Sequence, residues 1–418
     1  MEKTLKVWLI ITSREHDVLK FLDEKFSQFE DQHQLKIELK LITWNRAFET
    51  IIEAFKNNNA PDIIQIGTTW VRTLAYMGYL DQAPPNFEVR KSFIKNMNQI
   101  CSYQGEQYAV PWNVDTIVLA ARTDYLQQLG LKKSELNTWK KFRQACQDIT
   151  EKKQTNSELP QALAFSLRAE ADLLHRFSGI LWSKGWQFPD LYQVPEKILT
   201  QKKVLENISF LADLILNSDV NASDLDKHPY QLNNEFYRHG AYVFYIGSWY
   251  GIIEDISHNP VSSQNGDFNY TILPFPTEKN NKSTGYGGGS VLAVSASSKQ
   301  KQKAWKLVEY FLKDDFINEW IAVTGKVPAF EVDFWQQKDV DQRIKTMYQQ
   351  SINSKTYPPY PAWATIEKML STAVAHSIWE LIDKNTTEIN SEAYSLLKKS
   401  DQNIKKLLKM SWEMRDYA

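Results

Sequence analysis

Four short segments combine a tryptophan with residues that end strands and direct hydrogen bonds: Thr43-Trp44-Asn45-Arg46, Gly67-Thr68-Thr69-Trp70, Pro111-Trp112-Asn113-Val114-Asp115 and Gly247-Ser248-Trp249. A fifth, Thr12-Ser13-Arg14-Glu15, carries polar groups without the indole. An indole offers a large, rigid apolar face, and Asp, Glu, Asn and Arg aim hydrogen bonds at defined points. That chemistry holds a ligand; alone it makes and breaks no bond. Core packing is the competing role for each tryptophan, and an exposed ion pair is the competing role for Arg14 and Glu15. Glycine is the second concentration. Of 15 glycines in the chain, Gly285, Gly287, Gly288 and Gly289 surround Tyr286 in GYGGGSVLAVSASS. Glycine serves where the backbone must turn unusually or where another group must come close.

The glycines do not form a phosphate cradle. A dinucleotide fingerprint follows a strand and opens a helix. Here the apolar run Val291–Val294 comes after the glycines, the third fingerprint position is Ser290, and no Gly-Lys-Ser/Thr follows. A tight turn before a strand and a hinge beside a ligand remain. Catalytic signals are thin. The seven histidines are scattered with no His-Glu-x-x-His, and Ser248 and Ser290 lack the glycines of a nucleophile elbow. Glu254 and Asp255 are adjacent, so on a helix they point in different directions. No catalytic residue, metal ligand or cofactor is assigned. A two-carboxylate glycosidase stays as a rival, because its acids need not be close in sequence. Cys101 and Cys146 are the only cysteines, which implies neither a disulfide framework nor a Cys-rich metal site.

The elements that must position these residues follow from periodicity. Lys6–Ile11 reads as a buried strand, Val18, Leu22, Phe26 and Phe29 as a helical face, and Ile37, Leu39 and Leu41 as a strand. Phe48, Ile51, Ile52 and Phe55 form a second helical face, and Ile63–Ile66 a third strand. This alternation implies a parallel or mixed sheet flanked by helices, an α/β fold. Ligands of such sheets bind beyond the carboxyl ends of the strands, where the segments above lie; the third of them is expected as a loop after a strand ending at Ala109-Val110. Further strands are expected at Ala241–Ile246 and Val291–Val294. Later helices are marked by Trp139–Ile149, by Val204–Ile215, by Ala304, Leu307, Val308 and Phe311, and by Ile366, Met369, Leu370, Ala373 and Val374.

Length and charge set limits. A chain of 418 residues predicts two or three domains. With 49 basic and 50 acidic residues, a nucleic-acid backbone or anionic membrane is not the expected main partner. Apolar runs are too short to span a membrane. The opening MEKTLKVWLIITSREHD has only Val7–Ile11 as an apolar core, too short for a secretory signal. Either an export signal has been removed, or the chain never had one.

Five segments, in order along nearly the whole chain, resemble the extracellular solute-binding proteins of ABC importers, in the sugar-binding family that includes maltose-binding protein. They are NNNAPDIIQIGTTWVRTLAYMGYLDQ (57–82), GEQYAVPWNVDTIVLAARTDYLQQLGL (105–131), FYRHGAYVFYIGSWYG (236–251), YTILPFPTEKNNKSTGYGGGSVLAVSASSKQKQKAWKLVEYFL (270–312) and TGKVPAF (324–330).

The resemblance implies a two-lobed periplasmic-binding-protein fold (type II), with a hinge between the lobes and a ligand cleft at their interface. Residues 1–111 plus 286–330 would form the N-terminal lobe, and 112–285 plus 331–418 the C-terminal lobe. It implies a carbohydrate, expected to be an oligosaccharide, delivered by hinge closure to the membrane subunits of an ABC permease. The protein would be a monomer outside the cytoplasm, in the periplasm or lipoprotein-anchored on the cell surface, if an export signal once preceded residue 1. A signal-less intracellular sugar sensor and a carbohydrate-cleaving enzyme are the alternatives. Trp249 matches the family's stacking tryptophan, and Asp115 stands where the family often has a carboxylate. Arg14, Glu15, Trp44, Thr69, Trp70, Trp112 and Asn113 join them as ligand contacts. So do Tyr286 and Gly288 at the second crossing between lobes, and Trp182 and Trp363 on the far side of the cleft.

Overall fold

The computed structural model describes residues 4–10, 15–85, 87, 93–168, 171–248, 270–278, 284–324, 326–331, 342–358 and 360–413. The chain opens with β1 (Thr4–Ile10), α1 (Glu15–His33), β2 (Lys36–Ile42), α2 (Trp44–Lys56), β3 (Ile63–Gly67) and α3 (Val71–Tyr76). Next come α4 (Lys95–Ile100), the hairpin β4 (Ser102–Tyr103) and β5 (Glu106–Gln107), and the long strand β6 (Val110–Arg122). Then follow α5 (Thr123–Leu129), α6 (Trp139–Thr155), β7 (Gln161–Ala164), α7 (Ala171–Ser183), α8 (Lys202–Asn217), α9 (Ala222–Leu225) and α10 (Pro229–Tyr237). Strands β8 (Tyr242–Ser248), β9 (Tyr270–Leu273) and β10 (Gly287–Val294) lead to α11 (Lys301–Phe311), α12 (Asp314–Thr324) and β11 (Val327–Pro328). The chain closes with α13 (Gln342–Ile352), α14 (Trp363–Asp383) and α15 (Ser391–Glu413).

The described residues divide into two compact units. One draws on 1–115 and 288–341, the other on 116–252, 261–287 and 342–418. The division falls inside β6, at the start of β10 and just before α13.

In the first unit β1 runs parallel to β2 and β3, and β10 runs antiparallel to β3. The first residues of β6 lie beyond β10, and β11 pairs antiparallel with them. Successive side chains of a strand point to opposite faces. Leu5, Val7 and Leu9 accordingly pack with α1, α11 and α12, while Trp8 and Ile10 pack with α2 and α3. The sheet is therefore covered on both sides, which explains the near-continuous apolar runs of β1 and β3.

In the second unit the later residues of β6 pair antiparallel with both β8 and β9, and β7 runs parallel to β8. Helix α14 buries Ile366, Leu370, Val374 and Ile378 in this core. The Asp401 carboxylate of α15 accepts the backbone N–H groups of Ile198, Leu199 and Thr200 and the Thr200 hydroxyl, at 2.6–3.1 Å.

Two local expectations change. The glycines Gly287–Gly289 lie inside β10 rather than in a turn before it, and Pro111–Asp115 lies inside β6 rather than in a loop. A proline removes one ladder donor but permits extended backbone, and β6 continues because nearly every residue from Val110 to Arg122 is buried.

Candidate functional site

In the first unit, Trp44 opens α2 directly after β2, and Trp70 ends the single 3₁₀ turn that follows β3. Gly67 brings them together. A Cβ there would lie 3.4 Å from the Trp70 ring and 3.5 Å from the Trp44 ring, so both indoles rest in contact with bare backbone. Their centroids are 5.6 Å apart at 59°, and Phe48 meets Trp70 at 5.3 Å. All three rings and Thr69 are half-buried, leaving apolar surface in water beside polar groups. Glu15 is exposed at the start of α1, where its charge suits the helix N-terminus. Arg14 lies outside the described residues.

Trp112 and Asn113 require correction as ligand contacts. The Trp112 ring is 0% exposed and stacks on Trp320 at 4.8 Å and 21°. The indole N–H of Trp320 donates to Asn113 Oδ1 at 3.1 Å, and Asn113 Nδ2 donates to Ser290 Oγ at 3.4 Å. Ser290 also accepts from Gln65 Nε2 at 2.9 Å, and Gln65 Oε1 accepts the Ile10 N–H at 2.8 Å. Both ends of the Asn113 amide are thus engaged in a buried polar row across β1, β3, β10 and β6. Asp115, two residues on, is half-buried.

The glycine segment answers a packing demand. Gly289 has φ +138°, and a Cβ there would stand 2.1 Å from the Asn113 carbonyl oxygen. Gly288 is buried beside it. Within the second unit, a Cβ at Gly287 would meet Ser354 Oγ at 1.7 Å. The 285–287 backbone is held there by hydrogen bonds from Lys355 N to Gly285 O and from Gly287 N to Lys355 O.

The second unit gathers three of the sequence-named residues, Trp182, Tyr286 and Trp363, around Tyr357. Tyr357 stacks on Trp363 at 4.6 Å and lies 5.2 Å from Tyr286 and 5.4 Å from Trp182. His175 stacks face to face on Tyr286 at 3.8 Å and 6°, and its Nδ1 lies 2.8 Å from the Tyr357 hydroxyl. Burial, helped by Arg176, pushes the His175 imidazole down to about 3, so it is neutral near pH 7. The Glu367 carboxylate lies 3.9 Å from the imidazole Nδ1. Burial pushes the Tyr357 phenol well up, so it stays a hydroxyl. Trp182, Tyr286, Tyr357 and Trp363 are each under 5% exposed, whereas His175 and Phe188 keep partial access.

His175, Tyr357, Glu367 and Trp320 went unnamed in the sequence, and Phe48 entered only as part of a helical face. The one available signal was the aromatic and proline density of YPPYPAWATI, which holds Tyr357 and Trp363; a lone histidine on a helix gave none. Trp249 lies outside the described residues. Among the described residues no group of three or more His, Cys, Asp or Glu side chains could hold a metal ion, and no helix is long and apolar enough to cross a membrane. In the first unit the half-exposed Trp44, Phe48 and Trp70 rings beside Thr69 can cover apolar faces and exchange hydrogen bonds.

The profile of the family described as bacterial extracellular solute-binding protein matches residues 13–316, well over half of the chain. The diacetylchitobiose-binding protein DasA of Streptomyces coelicolor is 23% identical over 376 residues, covering 87% of this chain and 82% of that protein. An ABC transporter solute-binding protein of Thermotoga lettingae, solved with alpha-D-tagatose, superposes with a TM-score of 0.79 at 19% identity, covering 97% of this chain and 100% of the other. Maltose-bound MalE3 of T. maritima gives 0.78 at 18% identity, covering 97% and 99%. The two structural likenesses show the fold, that of the two-lobed α/β solute-binding proteins.

Proposed function

Because this chain belongs to the bacterial extracellular solute-binding proteins, we propose that it is a non-enzymatic carbohydrate receptor, taking up an oligosaccharide outside the cytoplasm and passing it to the membrane subunits of an ABC permease. The observation that carries the ligand class is the half-exposed Trp44–Trp70 pair seated on Gly67 beside Thr69. A sugar ring has apolar C–H faces and a rim of hydroxyls, and this pairing of flat apolar surface with directed polar groups suits both. DasA, named for diacetylchitobiose, and the relatives holding tagatose and maltose support the same class.

Magnitudes constrain the reading. A micromolar Kd requires about 8 kcal/mol, and one aromatic contact adds about 0.5–1.5 kcal/mol beyond its buried area. Several rings and hydrogen bonds must therefore act together, among them Trp44, Trp70, Thr69, Asp115 and, from the family match, Trp249. In the second unit the partly accessible His175 and Phe188, which pack against the buried Tyr286–Tyr357–Trp363 cluster, are the corresponding surface. The protein works as a monomer, and no nucleic acid takes part. Ligand shifts the chain between two conformations through its greater affinity for one of them, and the backbone near 115–116 and 287–288 absorbs the change.

Calorimetric titration with neutral oligosaccharides tests this, with micromolar binding of at least one expected. Binding of none, with tight binding of an amino acid or metal ion instead, rejects it. Release of shorter sugars on incubation would establish the enzyme rival.

A further inference from the structure

Between Tyr394 and Met410, α15 carries five lysines, Lys398, Lys399, Lys405, Lys406 and Lys409, and one acid, Asp401. Asp401 faces inward, where it holds the backbone of 198–200. Leu397, Ile404 and Leu408 also face inward and are 0% exposed. At about 100° per residue, the five lysines cover about 120° of the solvent side over about 17 Å of helix. Lys398, Lys399, Lys406 and Lys409 are exposed, and Lys405 is half-buried. Met410 ends the stripe and is 61% exposed.

The Asp401 bonds bring a sixth lysine to this side, because they fix the segment just after Lys197 against α15. Lys405 pairs with the Glu196 carboxylate and, helped by Lys409 and Lys197, holds that carboxyl below its usual range. Six lysines gathered with Glu196 leave the surface strongly positive. The chain's near-zero net charge averages this excess away.

A helix face needs charge only to stay in water, and either sign serves. The solvent side of α6 carries both, with Lys140, Lys141 and Lys152 beside Asp148 and Glu151. On α15, Lys405 and Lys409 are like charges at i, i+4, a spacing that destabilises a helix. Charge of one sign is thus a cost to the fold that a partner of opposite sign relieves. No arginine takes part. The planar fork of arginine suits one carboxylate or phosphate in fixed geometry, whereas lysine is a mobile point charge. A row of point charges fits an extended sheet of anions better than one bound molecule, and a basic helix of this kind suits a membrane surface.

We propose that the lysine stripe of α15 docks the second unit on an anionic phospholipid surface. The ammonium groups lie among the phosphate headgroups, and Met410 adds an apolar tip. The apolar side of the helix stays in the protein core, so the contact is electrostatic, reversible and weakened by salt. It goes beyond the receptor reading and rests on it only for bringing the chain to a membrane.

The test is sedimentation of the full chain with vesicles of phosphatidylcholine alone and of phosphatidylcholine mixed equally with phosphatidylglycerol, at low and at physiological salt. Binding to the mixed vesicles should be at least about 10-fold tighter and should weaken as salt rises. The variant Lys398→Gln/Lys406→Gln/Lys409→Gln should bind the mixed vesicles about 10–100-fold more weakly. The matched variant Lys140→Gln/Lys141→Gln/Lys152→Gln removes the same charge from α6 and should lose less than about 3-fold. Both should melt where the unaltered protein does, since every altered side chain is exposed. Equal binding to the two vesicles, binding to neither, or equal losses in the two variants overturns the proposal. So does preferential binding of a soluble polyphosphate that mixed vesicles fail to displace, which assigns the stripe to an acidic polymer. Calorimetric titration with neutral oligosaccharides should give one affinity for the unaltered chain and the α15 variant. Vesicle binding therefore judges the docking surface, and sugar binding judges the receptor reading.

Discussion

Replacing Gly289 with alanine should injure the first unit far more than replacing another left-handed glycine. At φ +138° an alanine is strained by about 1–3 kcal/mol. Its Cβ would also stand 2.1 Å from the Asn113 carbonyl oxygen and 2.8 Å from Val114 Cα, where ordinary contact begins at 3.4 Å. Neither neighbour is a side chain that can swing away. Strands β10 and β6 must open by about 1 Å, which disrupts roughly two ladder hydrogen bonds at about 0.5–1.5 kcal/mol each. The total is about 2–6 kcal/mol. Gly78 supplies the control: its φ is +71° and nothing lies within 4 Å of an added Cβ, so Gly78→Ala carries only backbone strain, about 1–2 kcal/mol. Urea unfolding followed by tryptophan fluorescence should show Gly289→Ala losing about 1–4 kcal/mol more than Gly78→Ala, at an unchanged m-value. Equal losses would refute the close approach of the two strands as the reason for this glycine.

Three further outcomes are expected. Trp70→Ala should weaken oligosaccharide binding at least 10-fold with a stability loss of about 1–2 kcal/mol, whereas Trp112→Ala should cost about 3–5 kcal/mol; calorimetry and denaturation of both variants check the contrast. Asp401→Asn should destabilise the second unit by about 3 kcal/mol, because three backbone donors and the Thr200 hydroxyl lose a charged acceptor, while sugar affinity measured below the transition stays unchanged. His175 should make the protein acid-sensitive. Its folded pKa of about 3 lies below the ordinary 6.5, so as pH falls through 6.5 the unfolded chain takes up the proton first and stability drops. Between pH 7 and pH 5 the loss is about 2 kcal/mol, and denaturation curves of His175→Phe should lack that increment.

Period-2 and period-3.6 patterning carried most of the architecture, because burial on one face leaves a direct trace in residue order. β1, β2, β3, α1 and α2 are examples. The trace fails where both faces are buried. Pro111 looked like the end of a strand, yet β6 runs through it to Arg122, since its neighbours are covered on either side. That one misreading placed Trp112 and Asn113 at a loop tip rather than under α12. The Trp44–Trp70 pairing was legible as two residues but not as a contact, which depends on Gly67 lacking a side chain. The His175–Tyr286–Tyr357 arrangement joins positions as much as 182 residues apart, a proximity that no local pattern encodes.

The polar row from Ile10 through Gln65, Ser290 and Asn113 to Trp320 bears on how the fold is selected during folding. It is a set of mutually matching teeth in an otherwise greasy layer. Were β10 to mate with β3 one position out of step, Ser290 would swing to the opposite side and strand the Gln65 amide against hydrocarbon. Misaligned assemblies are thereby penalised early, and the correct seating of a late-arriving strand is proofread by hydrogen bonds that exist in one alignment alone.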